Sequence, residues 1–107
     1  MVYNKLVRDK IPEIIKATGK LPICRTLTDS EFPDALNIKL QEEMAEYLES
    51  GSIEELCDIL EVAYAIAANK GFTPDDIADI RDMKNNKNGT FNKKIFLEKV
   101  VDPTEVK

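Results

Sequence analysis

Gln41-Glu42-Glu43-Met44-Ala45-Glu46-Tyr47-Leu48-Glu49-Ser50-Gly51-Ser52-Ile53-Glu54-Glu55-Leu56-Cys57-Asp58 holds two helix-forming runs joined by a tight break. Ser50-Gly51 is a stop, because glycine readily takes the left-handed backbone that closes a helix. Ser52-Ile53-Glu54-Glu55 is a restart with capping-box spacing. Two helices joined so closely can pack antiparallel. Each run carries two carboxylates three residues apart, Glu43 with Glu46 and Glu55 with Asp58. Residues at that spacing share a helix face. The hairpin can therefore converge four carboxylates without a histidine or thiolate. Oxygen-only ligands of this kind suit a hard divalent cation such as Mg²⁺, with Mn²⁺ as an alternative.

Working outward, Ser30 caps a helix that starts at about Glu31 and holds Pro33 in its first turn, where a missing N–H is harmless. It runs to Glu49. The helix opened by Ser52 runs to about Lys70 before Gly71 and is apolar all round from Val62 to Ala68, the pattern of a buried central helix. Thr73-Pro74-Asp75-Asp76 opens a further helix, ended by Asn85, Asn86, Asn88 and Gly89. Ahead of the hairpin, Asp9 caps a short helix over Lys10 to Thr18, closed by Gly19. Leu21 to Thr28 and Ile95 to Val101 have strand-like content and are expected to pair as a minor two-stranded element. The expected fold is a small, mainly α four-helix unit forming one domain over 1–107.

Composition narrows the function. With 107 residues and a formal charge of −5, the chain lacks the basic face of a nucleic-acid binder, so no polymer partner is expected. A nucleotide substrate stays open, because bound cations reverse the local field. There is no histidine, which removes the commonest general base and the usual zinc ligand. Cys24 and Cys57 follow no metal or redox spacing and read as free thiols of a reducing cytoplasm. No apolar run is long enough to span a bilayer, and no membrane association is expected.

Position separates the acids. At about 100° per residue, Leu36, Leu40, Glu43 and Tyr47 form one stripe, so Glu43 sits within an apolar face. A carboxylate there requires a cation, and an ion pair with Lys39 is the ordinary alternative. Glu46 lies at the stripe's edge. Glu55 is explained equally well as the acidic half of a capping box. Asp58 falls with Glu54 and Glu61 on the polar side of its helix, where periodicity alone makes it solvated.

The whole chain resembles the all-α nucleoside triphosphate pyrophosphohydrolase (MazG-like) superfamily, in its small phosphoribosyl-ATP pyrophosphohydrolase-like branch. The likeness rests on Tyr3-Asn4-Lys5-Leu6-Val7-Arg8-Asp9-Lys10-Ile11-Pro12, on an EExxE motif at Glu42, Glu43 and Glu46, and on an ExxD motif at Glu55 and Asp58. The C-terminal Asn88-Gly89-Thr90-Phe91 and Lys94-Ile95-Phe96-Leu97 complete it. The family's Arg-Gly-Gly-Phe is replaced there, so its arginine contact does not carry over. The resemblance implies Mg²⁺-dependent cleavage of a nucleoside triphosphate between the α- and β-phosphates, with modified or surplus nucleotides among the candidate substrates. It implies metal ligation by Glu43, Glu46, Glu55 and Asp58, with Glu42 beside Glu43 in the catalytic set as an orienter of water. Lys5, Arg8 and Lys10 are the basic candidates for the phosphates, and Asn69 for the base or ribose. Self-association as a dimer or tetramer is implied too. A non-catalytic helical nucleotide-sensing or interaction module is the alternative, and phosphoribosyl-ATP hydrolysis ranks below both.

Overall fold

A computed structural model describes residues 2–105. These comprise four α-helices and a final 3₁₀ turn: α1 (Ile11–Ala17), α2 (Phe32–Ser50), α3 (Ile53–Asn69), α4 (Pro74–Asn88) and Pro103–Glu105. The chain divides into two compact units, Met1–Pro74 and Asp75–Lys107. The first is organised by α2 and α3, which pack on each other as a helical hairpin.

Backbone chemistry sets the hairpin's ends. Gly51 adopts φ 66° and returns its N–H to the Tyr47 carbonyl, closing α2 in the left-handed conformation that glycine tolerates best. Ser52 is extended, and its side chain accepts the Glu55 N–H at 3.2 Å, opening α3.

Helix α2 begins differently from the sequence expectation. Thr28, rather than Ser30, organises its entry. The Thr28 hydroxyl accepts the Glu31 N–H at 3.2 Å, and the Glu31 carboxylate accepts the Thr28 N–H at 3.0 Å. This is a reciprocal capping box with the T-x-x-E spacing. Arg25 clamps the same carboxylate through two nitrogens, at 3.1 and 3.0 Å. At α1, the first helical N–H goes to the Arg8 carbonyl at 3.1 Å, so Asp9 is not the cap.

The core is thin. Leu36, Val62 and Ala67 are its buried apolar residues among those described, and Glu43 is buried with them. The α2 stripe thus faces inward as its periodicity requires, with Leu40 and Tyr47 half-buried. Helix α3, by contrast, is not enclosed: within Val62 to Ala68, Ala63 and Ala68 are exposed, and Leu60 before it is 52% exposed, because packing on α2 covers one face only. Cys57 and Cys24 are both exposed free thiols. The described residues contain no strand, and 21–28 and 95–101 are irregular. Ile23, Ile95, Phe96 and Leu97 are exposed, and extended apolar segments stay outside a sheet unless their backbone groups find ladder partners.

The second unit carries most of α4, opened by Pro74 with Asp75 and Asp76 in its first turn, a placement that complements the helix dipole. Gly89, at φ 84°, follows its end.

The capping box gives a pH signature. The hydrogen bond from Arg25, and then those from Thr28, hold the Glu31 carboxyl down at about 2. A carboxyl lowered by folding stabilises the native state above its ordinary value near 4.5 and loses that contribution as pH falls through about 2. The stability gap between the native chain and Glu31→Gln is therefore expected to be full at neutral pH and to close between pH 4.5 and 2, as read from urea midpoints. Thr28→Ala is expected to cost about 1 kcal/mol.

Candidate metal centre

The hairpin brings together three of the four carboxylates. Glu43 of α2 and Glu55 and Asp58 of α3 each present an oxygen within 4.8 Å of the others. Glu43 is buried and the other two are half-buried. Asp58 is thus drawn off the solvated face that periodicity assigns it, because α2 lies beside that turn of α3. Glu46 stays exposed and is not one of the three.

The Ser50 side chain settles the competing role of Glu55. In a full capping box the Glu55 carboxylate would return to the Ser52 N–H. That N–H is instead held by the Ser50 hydroxyl at 3.2 Å. Only the serine half of the box forms, so the Glu55 carboxylate is free to face the cluster. The signal was legible in principle, since a serine two residues before the cap can take that bond.

Glu43 makes the ordinary ion pair with Lys39 and still leaves one carboxylate oxygen unanswered. Its Oε1 pairs with Lys39 at 3.3 Å, while its Oε2 is buried with no hydrogen-bond partner. Burial raises the pKa of this carboxyl; Lys39 opposes the shift, and Glu46, a like-charged neighbour, adds to it. An orphaned carboxylate oxygen is costly to bury, and such a group calls for an unseen cation or water. The donor set fits a hard divalent cation.

The segment preceding α1 supplies the positive charge. Arg8 donates to Asp58 Oδ1 at 2.7 Å, and Lys5 to Glu42 Oε1 at 3.2 Å, so this basic arm straddles α3 and α2. Glu42 also lies 3.6 Å from Lys39. Lys10 lines a cleft of about 520 Å³ that Glu43 and Asp58 also line and Glu55 does not. Leu6, Val7 and Phe32 contribute apolar walls that spacing did not single out, and Lys39, Glu43, Asp58 and Glu61 line its charged side. The volume falls in the range of small-molecule sites. Asn69 is exposed near the C-terminal end of α3 and does not line this cleft. Eleven residues at about 1.5 Å each separate it from Asp58 along the helix. The Asn88-Gly89-Thr90-Phe91 segment belongs to the second unit, where Phe91 is exposed.

No family model matches the chain. A protein of Mycolicibacterium smegmatis (strain ATCC 700084 / mc(2)155), described only as uncharacterized, is 57% identical over 42 residues. The match spans 39% of this chain and 43% of that relative's length. No solved structure matches. No helix among the described residues is long and apolar enough to cross a membrane.

The raised Glu43 carboxyl has a stability consequence. The native state keeps this proton to higher pH than the unfolded chain, so its contribution becomes unfavourable as pH rises through the raised value. In metal-free buffer, Glu43→Gln is expected to match the native chain in acid and exceed it in stability at neutral pH. Urea unfolding at pH 4 and pH 7.5 reads the difference; a less stable variant at pH 7.5 contradicts it.

Proposed function

We propose that this protein is a Mg²⁺-dependent nucleotide pyrophosphohydrolase, cleaving a nucleoside triphosphate between its α- and β-phosphates to the monophosphate and pyrophosphate. The observation that carries the reading is a buried Glu43 carboxylate with an unpartnered Oε2, clustered with Glu55 and Asp58, with Glu43 and Asp58 also lining a small-molecule-sized cleft. Glu43, Glu55 and Asp58 would hold the metal. Glu46, exposed one turn along α2, is the fourth ligand that the EExxE spacing proposes. When bound, Mg²⁺ neutralises phosphate charge and lowers the pKa of a coordinated water, which supplies hydroxide in a chain that lacks histidine.

The protein's own residues position and exclude. Leu6, Val7 and Phe32 form an apolar wall that restricts water around the ligand. Arg8 and Lys10 place positive charge at the cleft, suited to the phosphates. Glu42, half-buried next to Glu43, accepts a proton or orients water once Lys5 and Lys39 turn to other partners. Asn69 has no place in this arrangement of the single chain. Subunits that associate as a dimer or tetramer would cover the uncovered faces of α2 and α3, where Ile38, Leu48, Ile53 and Leu60 are exposed.

A second reading has its own support. Lys5, Arg8 and Lys39 already pair with the acids, as in an ion-pair network of a non-catalytic nucleotide-sensing or interaction module. Turnover separates the two. A panel of standard and modified nucleoside triphosphates with Mg²⁺ is expected to give pyrophosphate from at least one member; binding without release favours the module. Glu43→Gln and Asp58→Asn are each expected to lower turnover by about a hundredfold or more, with unchanged helical circular dichroism. Unchanged rates in both would remove the proposed centre. Light scattering coupled to size exclusion is expected to give a dimer or tetramer, and a monomer at working concentration would refute self-association.

A further inference from the structure

Asp58 is claimed twice. Its carboxylate belongs to the three-acid cluster, yet its Oδ1 also accepts the Arg8 guanidinium at 2.7 Å. A guanidinium in direct contact with one ligand places a positive charge beside the point where the three carboxylates converge. A divalent cation at that point repels it and draws on the same oxygen charge. Both side chains are partly open to solvent, at 57% for Arg8 and 39% for Asp58, so the pair is of the weak, exchangeable kind. Arg8 also precedes α1 on a segment without regular structure, and it lines the cleft. Its side chain can therefore swing from the floor toward the opening without breaking a helix.

We propose that Arg8 is a resident counter-ion of the metal-free centre: it leaves Asp58 when the divalent cation loads and turns to the phosphates of the incoming ligand. The inference rests on the metal-centre reading above and adds an order of events to it. The cluster is kept from holding bare, mutually repelling carboxylates before the metal arrives. The same guanidinium is then delivered to the polyphosphate only after loading, which couples phosphate affinity to metal occupancy. No bond is made or broken; one ion pair is exchanged for another.

Mn²⁺ titration of the metal-free protein tests the exchange without reference to turnover. Arg8→Gln is expected to bind Mn²⁺ about fivefold more tightly than the native chain, the value of one exposed ion pair no longer competing. Lys16→Gln, with the same charge change on the exposed last turn of α1, is expected to leave the affinity unaltered. In the native protein, Mn²⁺ is expected to speed trypsin cleavage after Arg8 relative to cleavage after Lys20, which keeps the test open if the variant does not fold. With Mn²⁺ present, Arg8→Gln is expected to weaken binding of inorganic triphosphate by about tenfold. Equal Mn²⁺ affinity in native and Arg8→Gln proteins, with unchanged relative cleavage, overturns the exchange and leaves the metal centre standing. Tighter Mn²⁺ binding with unaltered triphosphate affinity overturns the transfer to phosphate. No Mn²⁺ binding to either protein overturns the metal centre itself, and the exchange with it.

Discussion

Burying the Glu43 carboxylate between α2 and α3 is the constraint on which the site depends. It is buried in the same hairpin as Leu36 on α2 and Val62 and Ala67 on α3, the residues that form the small core. One oxygen is answered by Lys39 and the other is not. A chain that only needed a tight hairpin would do better with an apolar residue at this position, since a buried charge weakens a core unless its partners are complete. Stability and chemistry thus meet at one side chain.

Charge around that hairpin is arranged in pairs. Lys5 answers Glu42, Arg8 answers Asp58 and Lys39 spans Glu42 and Glu43. Lys5 and Arg8 come from the segment before α1, so two ion pairs tie the N-terminal arm to the hairpin. Such contacts are individually weak and salt-sensitive. They suit a surface that must change partners more than one that must only hold still. Leu6 and Val7, between these charges, give the cleft its apolar lining.

Much of the fold was legible because helix ends have local chemistry. The Ser50-Gly51-Ser52 break, Pro74 with its following acids, and the glycines after α1, α2 and α4 mark boundaries through short-range hydrogen bonding and backbone freedom. Local signals were weaker where two residues compete for one job. Thr28 and Ser30 both precede α2, and the Arg25 clamp on Glu31 favours Thr28. The segments 21–28 and 95–101 have strand-like composition, but a strand exists only with a partner, and composition does not supply one.

For the candidate site, the sequence alone determined which acids could share a face and that Glu43 lies on an apolar stripe, because helical periodicity is a local property. The resemblance of its acidic motifs to a pyrophosphohydrolase family also rests on sequence. Tertiary structure decided the rest. Packing on α2 half-buries Asp58, which periodicity left in solvent. The Ser50 hydroxyl frees Glu55 from its capping duty. The fold of the N-terminal arm brings Arg8 to a residue fifty positions away. The placements of Asp58 and Arg8 depend on contacts between elements, about which residue spacing within one helix carries no information, whereas the Ser50–Ser52 bond is local, two residues apart.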